Sequence, residues 1–231
     1  MDFLLDTARE AFRLLWDRDP DTLRAVGISL KVSAASSALA AALGIPLGFL
    51  VGMKRFPGRR AAVVLLHTSM AVPTVVVGLF VYFLICRRGP LGELGLLFTP
   101  WAMVAGQTLL ALPILAAFTL AAVEGADARI AETARTLGAT RAREAWAVLT
   151  ECRAGVAAAV AAGFGRVFAE VGVSMMLGGN IRGVTRNIPT TIALETGKGE
   201  FAMGLALGAV LLLVALAVNL AVQALRPPAG R

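Results

Sequence analysis

Residues 132–146 read ETARTLGATRAREAW, a stretch rich in charge, with Glu132, Arg135, Arg141, Arg143 and Glu144 among its members. Long apolar runs flank it. WAMVAGQTLLALPILAAFTLAAV (101–123) precedes it, and AGVAAAVAAGFGRVFAEVGVSMMLGG (154–179) follows. About 20 helical residues cross a hydrocarbon core, so each neighbour is long enough to span and the polar stretch is not apolar enough to do so. A polar helix held between two spans decides the fold.

Composition agrees. The chain has 231 residues, 58% of them hydrophobic and 16% charged, with a mean hydropathy of +0.77. A soluble domain carries about 25% charged residues and roughly 45–50% apolar ones. Five apolar segments stand out, at about 23–53, 61–86, 101–123, 154–177 and 201–225, and no stretch long enough for a separate soluble domain remains. Backbone polar groups in lipid must be paired within their own segment, so these are helices. The expectation is an all-α polytopic membrane protein whose membrane domain covers 22–226. Pro46, Pro73 and Pro113 fall inside spans, where prolines are tolerated and mark kinks.

The first twenty residues, MDFLLDTAREAFRLLWDRDP, lack the continuous apolar core of a cleaved signal. Residues 1–21 read either as an amphipathic helix lying on the membrane or as a solvated terminus. The formal charge of +7 suits loops beside anionic lipid. Nucleic acid is not an expected partner, because no basic face forms without breaking a span. Orientation follows from KRFPGRR (54–60), the densest basic loop, which belongs in the cytoplasm. The polar loop at 124–153 comes two spans later and lies on the same side, with the tail carrying Arg226 and Arg231. The N-terminus is then outside and the C-terminus inside. Cys86 and Cys152 fall at opposite faces of the bilayer and cannot form a disulfide with each other.

Within the loop, Ile130, Ala134 and Leu137, then Trp146, Val148 and Leu149, give two short amphipathic helices, with Gly138 at the left-handed turn between them. Glu132 is expected at the helix entrance, where negative charge suits exposed amides. At membrane depth, Arg166 and Glu170 are four apart and share a helix face, with Ser174 one turn further. Charges there are costly and face a partner or water. The three form a translocation pathway or gate, or else the pair is a self-neutralising structural one. Asn180, Arg182, Arg186 and Lys198 in the outer loop steer an anion, grip a binding protein, or form a solvated basic surface. Lys31 snorkels, His67 packs, and Gly204 with Gly208 makes a small-x-x-x-small face for helix contact or a dimer.

Enzyme chemistry finds little support. The chain lacks a Gly-x-x-x-x-Gly-Lys-Ser/Thr phosphate loop, a His-Glu-x-x-His pair and a thiolate cluster, and it has one histidine. No metal or cofactor is expected. A stand-alone channel leaves the polar loop without a purpose.

Glu132-Thr133-Ala134-x-x-x-Gly138, followed ten residues later by Val148, resembles the Glu-Ala-Ala-x-x-x-Gly motif of importer-type ATP-binding-cassette permeases, which have the MetI-like fold. Thr133 replaces an alanine, and Thr150 and Glu151 stand where Leu-Pro is usual. The resemblance implies that the loop, with Glu132, Thr133, Ala134, Gly138, Arg141 and Trp146, docks in a groove of a separate ATPase subunit. It also implies a homodimer and an extracytoplasmic substrate-binding protein. GFGRVFAEVGVSMMLGGNIRGVTRNIPTTIALETGKGEF (163–201) is similar to permeases for tetrahedral oxyanions. Leu-Gly-Gly-Asn-Ile-x-Gly-x-Thr-Arg and Leu-Glu-Thr-x-x-Gly-x-Phe are most like the tungstate group, and molybdate and sulfate permeases share less. The resemblance covers roughly residues 22–225.

Overall fold

The computed structural model describes residues 20–224, together with Leu5 and Arg9. The amphipathic segment expected over 1–21 falls almost wholly outside them, as does the tail with Arg226 and Arg231. Ten helices follow in order: α1 (Pro20–Met53), α2 (Arg59–Met70), α3 (Thr74–Ile85), α4 (Pro100–Glu124), α5 (Ala128–Thr136), α6 (Arg141–Glu151), α7 (Arg153–Phe168), α8 (Gly172–Gly178), α9 (Ile188–Gly197) and α10 (Phe201–Ala224). A 3-10 turn at Gly92–Leu94 lies between α3 and α4, and the described residues contain no strand. α1, α4 and α10 are each long and apolar enough to cross a membrane, and the pairs α2–α3 and α6–α7 qualify when each is taken as one bent span.

α4 is the hub. Its buried residues run almost its whole length, from Ala102 to Val123. Ala40 of α1, Val81 and Ile85 of α3, Val167 of α7 and Val173 and Leu177 of α8 all join its core. α1 crosses α4 at backbone distance. A Cβ on Gly48 would sit 2.1 Å from the Ala116 carbonyl oxygen, and one on Gly44 would sit 2.9 Å from that of Leu112. Membrane helices lack a hydrophobic drive to associate in lipid, so small residues that admit close approach hold them together. On α10, Gly204 packs closely on Thr196 of α9, and Gly208 meets nothing within 4 Å in the single chain. The opposite face of α1 exposes Leu39, Leu43, Leu47 and Leu50, which suits acyl chains.

Two spans read as continuous in the sequence are broken. The stretch 61–86 divides into α2 and α3, which meet at 98°. Pro73 precedes α3; it has no N–H to offer, and its ring excludes a helical carbonyl four residues back. Pro46 and Pro113 remain inside α1 and α4. The stretch 154–177 is interrupted after Phe168 and resumes at Gly172. No proline lies there. Glu170 lies in the break, and its Oε1 accepts the Val173 N–H in the first turn of α8 at 3.2 Å. Arg166 and Glu170 therefore do not share one uninterrupted helix.

Candidate functional sites: the polar loop and the membrane-depth pair

The polar loop forms two helices, as its pattern predicts. α5 begins at Asp127, whose carboxylate accepts the Arg129 N–H at 2.9 Å and pairs with its guanidinium at 2.6 Å. Asp127 is therefore the capping acid, and Glu132 instead lies exposed along the helix. α5 ends in a left-handed turn at Gly138, φ +76°. The Gly138 N–H donates to Arg135 O and the Ala139 N–H to Ala134 O, both at 2.9 Å. This pair of hydrogen bonds closes a helix only with a residue that tolerates positive φ. α6 then starts at Thr140, whose hydroxyl accepts the Arg143 N–H at 3.4 Å.

One ion pair bridges the two helices. Arg135 Nη2 lies 2.7 Å from Glu144 Oε1, and Arg135 Nε donates to the same oxygen at 2.9 Å. Nothing in the sequence pattern singled this pair out. The guanidinium holds the Glu144 carboxyl below its ordinary value. A lowered carboxyl pKa means the contact is kept at neutral pH and is lost as pH falls through that lowered value.

The loop is anchored to the bundle through its apolar side chains. Val148 packs with Val123 and Cys152, and Ile130 and Ala131 lean on the same cluster. Arg59 ties three helix ends together: its Nε donates to Val51 O at 2.9 Å, and its Nη2 reaches Glu124 Oε1 at 2.5 Å. A cleft of about 390 Å³ opens here, lined by Arg55, Arg59, Glu124, Glu132 and Arg135. On the other side Leu137 is 81% exposed and Trp146 70% exposed. Thr133 and Arg141 are also exposed, whereas Ala134 is half-buried. Leu137 and Trp146 are thus large apolar side chains exposed on a charged loop.

At membrane depth, Arg166 Nη1 lies 2.6 Å from Glu170 Oε2, and the two side chains are 41% and 5% exposed. Ser174 does not join them. It is fully buried and accepts from Gln107 Nε2 at 3.1 Å and Asn187 Nδ2 at 3.2 Å. Gln107 Oε1 in turn accepts from Ser36 Oγ at 3.1 Å. This polar ladder stitches α1, α4, α8 and the start of α9. The break at Glu170 turned Ser174 away from the exposed face and into the bundle. The sequence carried a signal for the ladder in the amide Gln107, set within the apolar run of 101–123. Gln107→Leu is expected to cost about 1–3 kcal/mol, the net worth of the two buried hydrogen bonds it removes, since Ser36 keeps the Val32 and Ser33 carbonyls and Ser174 keeps Asn187. The readout is a lower melting temperature of the detergent-purified chain. An unchanged temperature would mean that the ladder does not support the fold.

The outer cations are already engaged. Arg182 pairs with Asp21 of α1. Arg186 donates to the Asn180 side chain and carbonyl at 3.3 Å. Lys198 lies 2.8 Å from Glu195. They knit the 179–187 loop to α1 and close the α9 helix end. His67, expected to pack, is exposed on α2, and Lys31 is exposed on α1.

Residues 44–229 match the model of a family described as the binding-protein-dependent transport system inner membrane component. The chain belongs to this family. The permease is 37% identical over 226 residues to the tungstate uptake system permease protein TupB of Peptoclostridium acidaminophilum, covering 98% of this chain and 99% of that one. It is 40% identical over 219 residues to the protein of the same name from Campylobacter jejuni, covering 95% and 92%. Similarity to the molybdenum transport system permease protein ModB of Escherichia coli K12 is lower, at 31% over 192 residues, 79% and 83% of the two chains. Among solved structures, a chain of the inward-facing MetNI methionine ABC transporter superposes with a TM-score of 0.73 at 18% identity, covering 93% of this chain and 98% of that one. The permease thus has the MetI-like helical fold that the sequence implied. It is a multi-pass inner-membrane transport component and not an enzyme.

Proposed function

We infer that the permease is the membrane subunit of an ATP-binding-cassette importer for a tetrahedral oxyanion, with tungstate as its substrate. The observation that carries this is the near end-to-end similarity to two tungstate uptake permeases, at a level that the molybdenum permease does not reach. The loop geometry supports the importer mechanism. α5 and α6 are bridged by the Arg135–Glu144 pair and offer Leu137 and Trp146 outward, as a helix that enters a groove of an ATPase subunit must. Glu132, Thr133, Ala134 and Arg141 belong to the same two helices. Two copies of the chain form the transporter, with one ATPase beneath each. An extracytoplasmic binding protein delivers the anion at the Asn180–Lys198 end.

Closure of the ATPase pair on ATP moves the loops, and the spans above them alternate between outward and inward access. The decisive experiment is uptake of labelled tungstate by vesicles containing permease, ATPase and binding protein, with unlabelled molybdate and sulfate as competitors. Tungstate should compete at the lowest concentration. If sulfate or molybdate competes better, the substrate assignment is wrong.

Topology gives a separate test. In a background without Cys86 and Cys152, cysteines at Phe56 and Ala142 should be shielded from an impermeant thiol reagent in intact cells. One at Val184 should react. Labelling at Phe56 from outside would invert the orientation.

A further inference from the structure

The two broken spans meet. A Cβ on Gly172, at the start of α8, would lie 3.1 Å from Thr74 Oγ1 at the start of α3 and 3.3 Å from Glu170 Oε1. Gly78 of α3 faces Met176 of α8 in the same seam. The interruptions at 71–73 and 169–171 therefore lie near one another. Residues 67–73 are all exposed, as are Arg166 and Ala169. Depth is fixed by Gly163, which packs on Leu115 and Ala111 in the middle of α4; Arg166 is less than one turn beyond. Non-helical backbone at such depth is tolerated only where protein buries it or water fills a cavity, and an intramembrane charge likewise turns from lipid. This face is therefore turned away from lipid.

The charges at this face are unequal in what they present. Both carboxylate oxygens of Glu170 are used, one by Arg166 and one by the Val173 N–H, and the side chain is 5% exposed. Arg166 uses only Nη1; its Nη2 and Nε bond to nothing among the described residues. The acid sits behind the guanidinium, and the outward surface is cationic. We propose that the free Nη2–Nε edge of Arg166 is the mid-membrane transit contact of the oxyanion. This rests on the importer reading above. A guanidinium edge matches two oxygens of a tetrahedral dianion with two parallel N–H···O bonds, which an ammonium does not reproduce. Glu170 holds the guanidinium in place and, as a nearby negative charge, keeps the anion from settling, since conduction needs binding weak enough to leave.

The test uses the assembled transporter in vesicles, in a background lacking Cys86 and Cys152, with Ala169→Cys as a reporter three residues from Arg166. Two water-soluble thiol reagents of equal size are compared, one an anionic sulfonate and one a cationic ammonium. The anionic reagent should gain at least roughly tenfold in relative rate from Arg166 over Arg166→Gln, and millimolar tungstate should slow it. Arg166→Lys should keep most of that preference, because the charge remains. Uptake should nevertheless fall several-fold for Lys and further for Gln, while the binding protein still stimulates ATP hydrolysis in both. A purely structural role would lower hydrolysis and uptake together. The proposal is overturned if the reporter thiol is inert to both reagents, if the preference is the same with Gln, or if Arg166→Gln imports at the wild-type rate. Failure of the importer reading looks different: the parent transporter itself would take up no tungstate.

Discussion

Gly138→Val is expected to leave the chain inserted in the membrane while the ATPase no longer co-purifies and uptake falls by more than about tenfold. The position is open, with nothing within 4 Å of where a Cβ would stand, so the effect is backbone strain and not a clash. A left-handed backbone costs an L-residue about 1–2 kcal/mol, and β-branching makes the cost greater. The turn can relieve that strain only by opening the Gly138–Arg135 and Ala139–Ala134 bonds. Opening them swings Leu137 away and separates Arg135 from Glu144. Two controls sharpen the result. Gly138→Asn, which tolerates positive φ better than other side chains, should keep most of the activity. Arg143→Gln should do little, since the described bond at that position comes from its backbone N–H. The measurement pairs co-purification of the ATPase with uptake in the same vesicles. Retention of both by Gly138→Val would remove the docking role from this loop.

The largest effect on folding is expected at Gly48. Its added Cβ would stand 2.1 Å from the Ala116 oxygen, 2.9 Å from its carbonyl carbon and 3.0 Å from its Cα. All three are backbone atoms of α4, so no rotamer change makes room and the helices must separate. Overpacking costs typically about 1–3 kcal/mol where side chains can yield, and more is expected here. Gly48→Leu should therefore give little monodisperse protein after detergent extraction. Gly27→Ala, in the same helix but with nothing within 4 Å, should behave like the parent. Equal yields from the two would mean that the α1–α4 crossing is not the keystone of the bundle.

How much of this was legible depends on where the determining partner lies. The loop helices were, because amphipathic spacing and one glycine are local signals: α5 and α6 flank Gly138 in the structure as they do in the pattern. Asp127 was overlooked for Glu132, although both are acids near a helix start; only the geometry shows which one reaches an amide. The break at 169–171 was hidden for a different reason. No proline or paired glycine announces it, and the carboxylate that caps α8 is also the one expected to pair along a continuous helix. Pro73 and Pro113 look equivalent in sequence, yet one breaks its span and the other does not. The pairing of the outer cations was hidden because Arg182 finds Asp21 161 residues away, a distance that no local pattern spans.

The joint between α6 and α7 has a mechanical meaning. α6 ends at Glu151 and α7 starts at Arg153, with Cys152 alone between them and a 66° bend. A connection that short has no slack: whatever turns α6 also turns α7. Arg166 stands thirteen residues from that joint, which is about 20 Å of helix, so a tilt of about 10° would sweep it sideways by about 3 Å. That stroke is comparable to the length of one hydrogen bond. On the docking and transit roles proposed above, the joint would act as a crank, delivering a small push at α6 as a making or breaking of contact at the guanidinium.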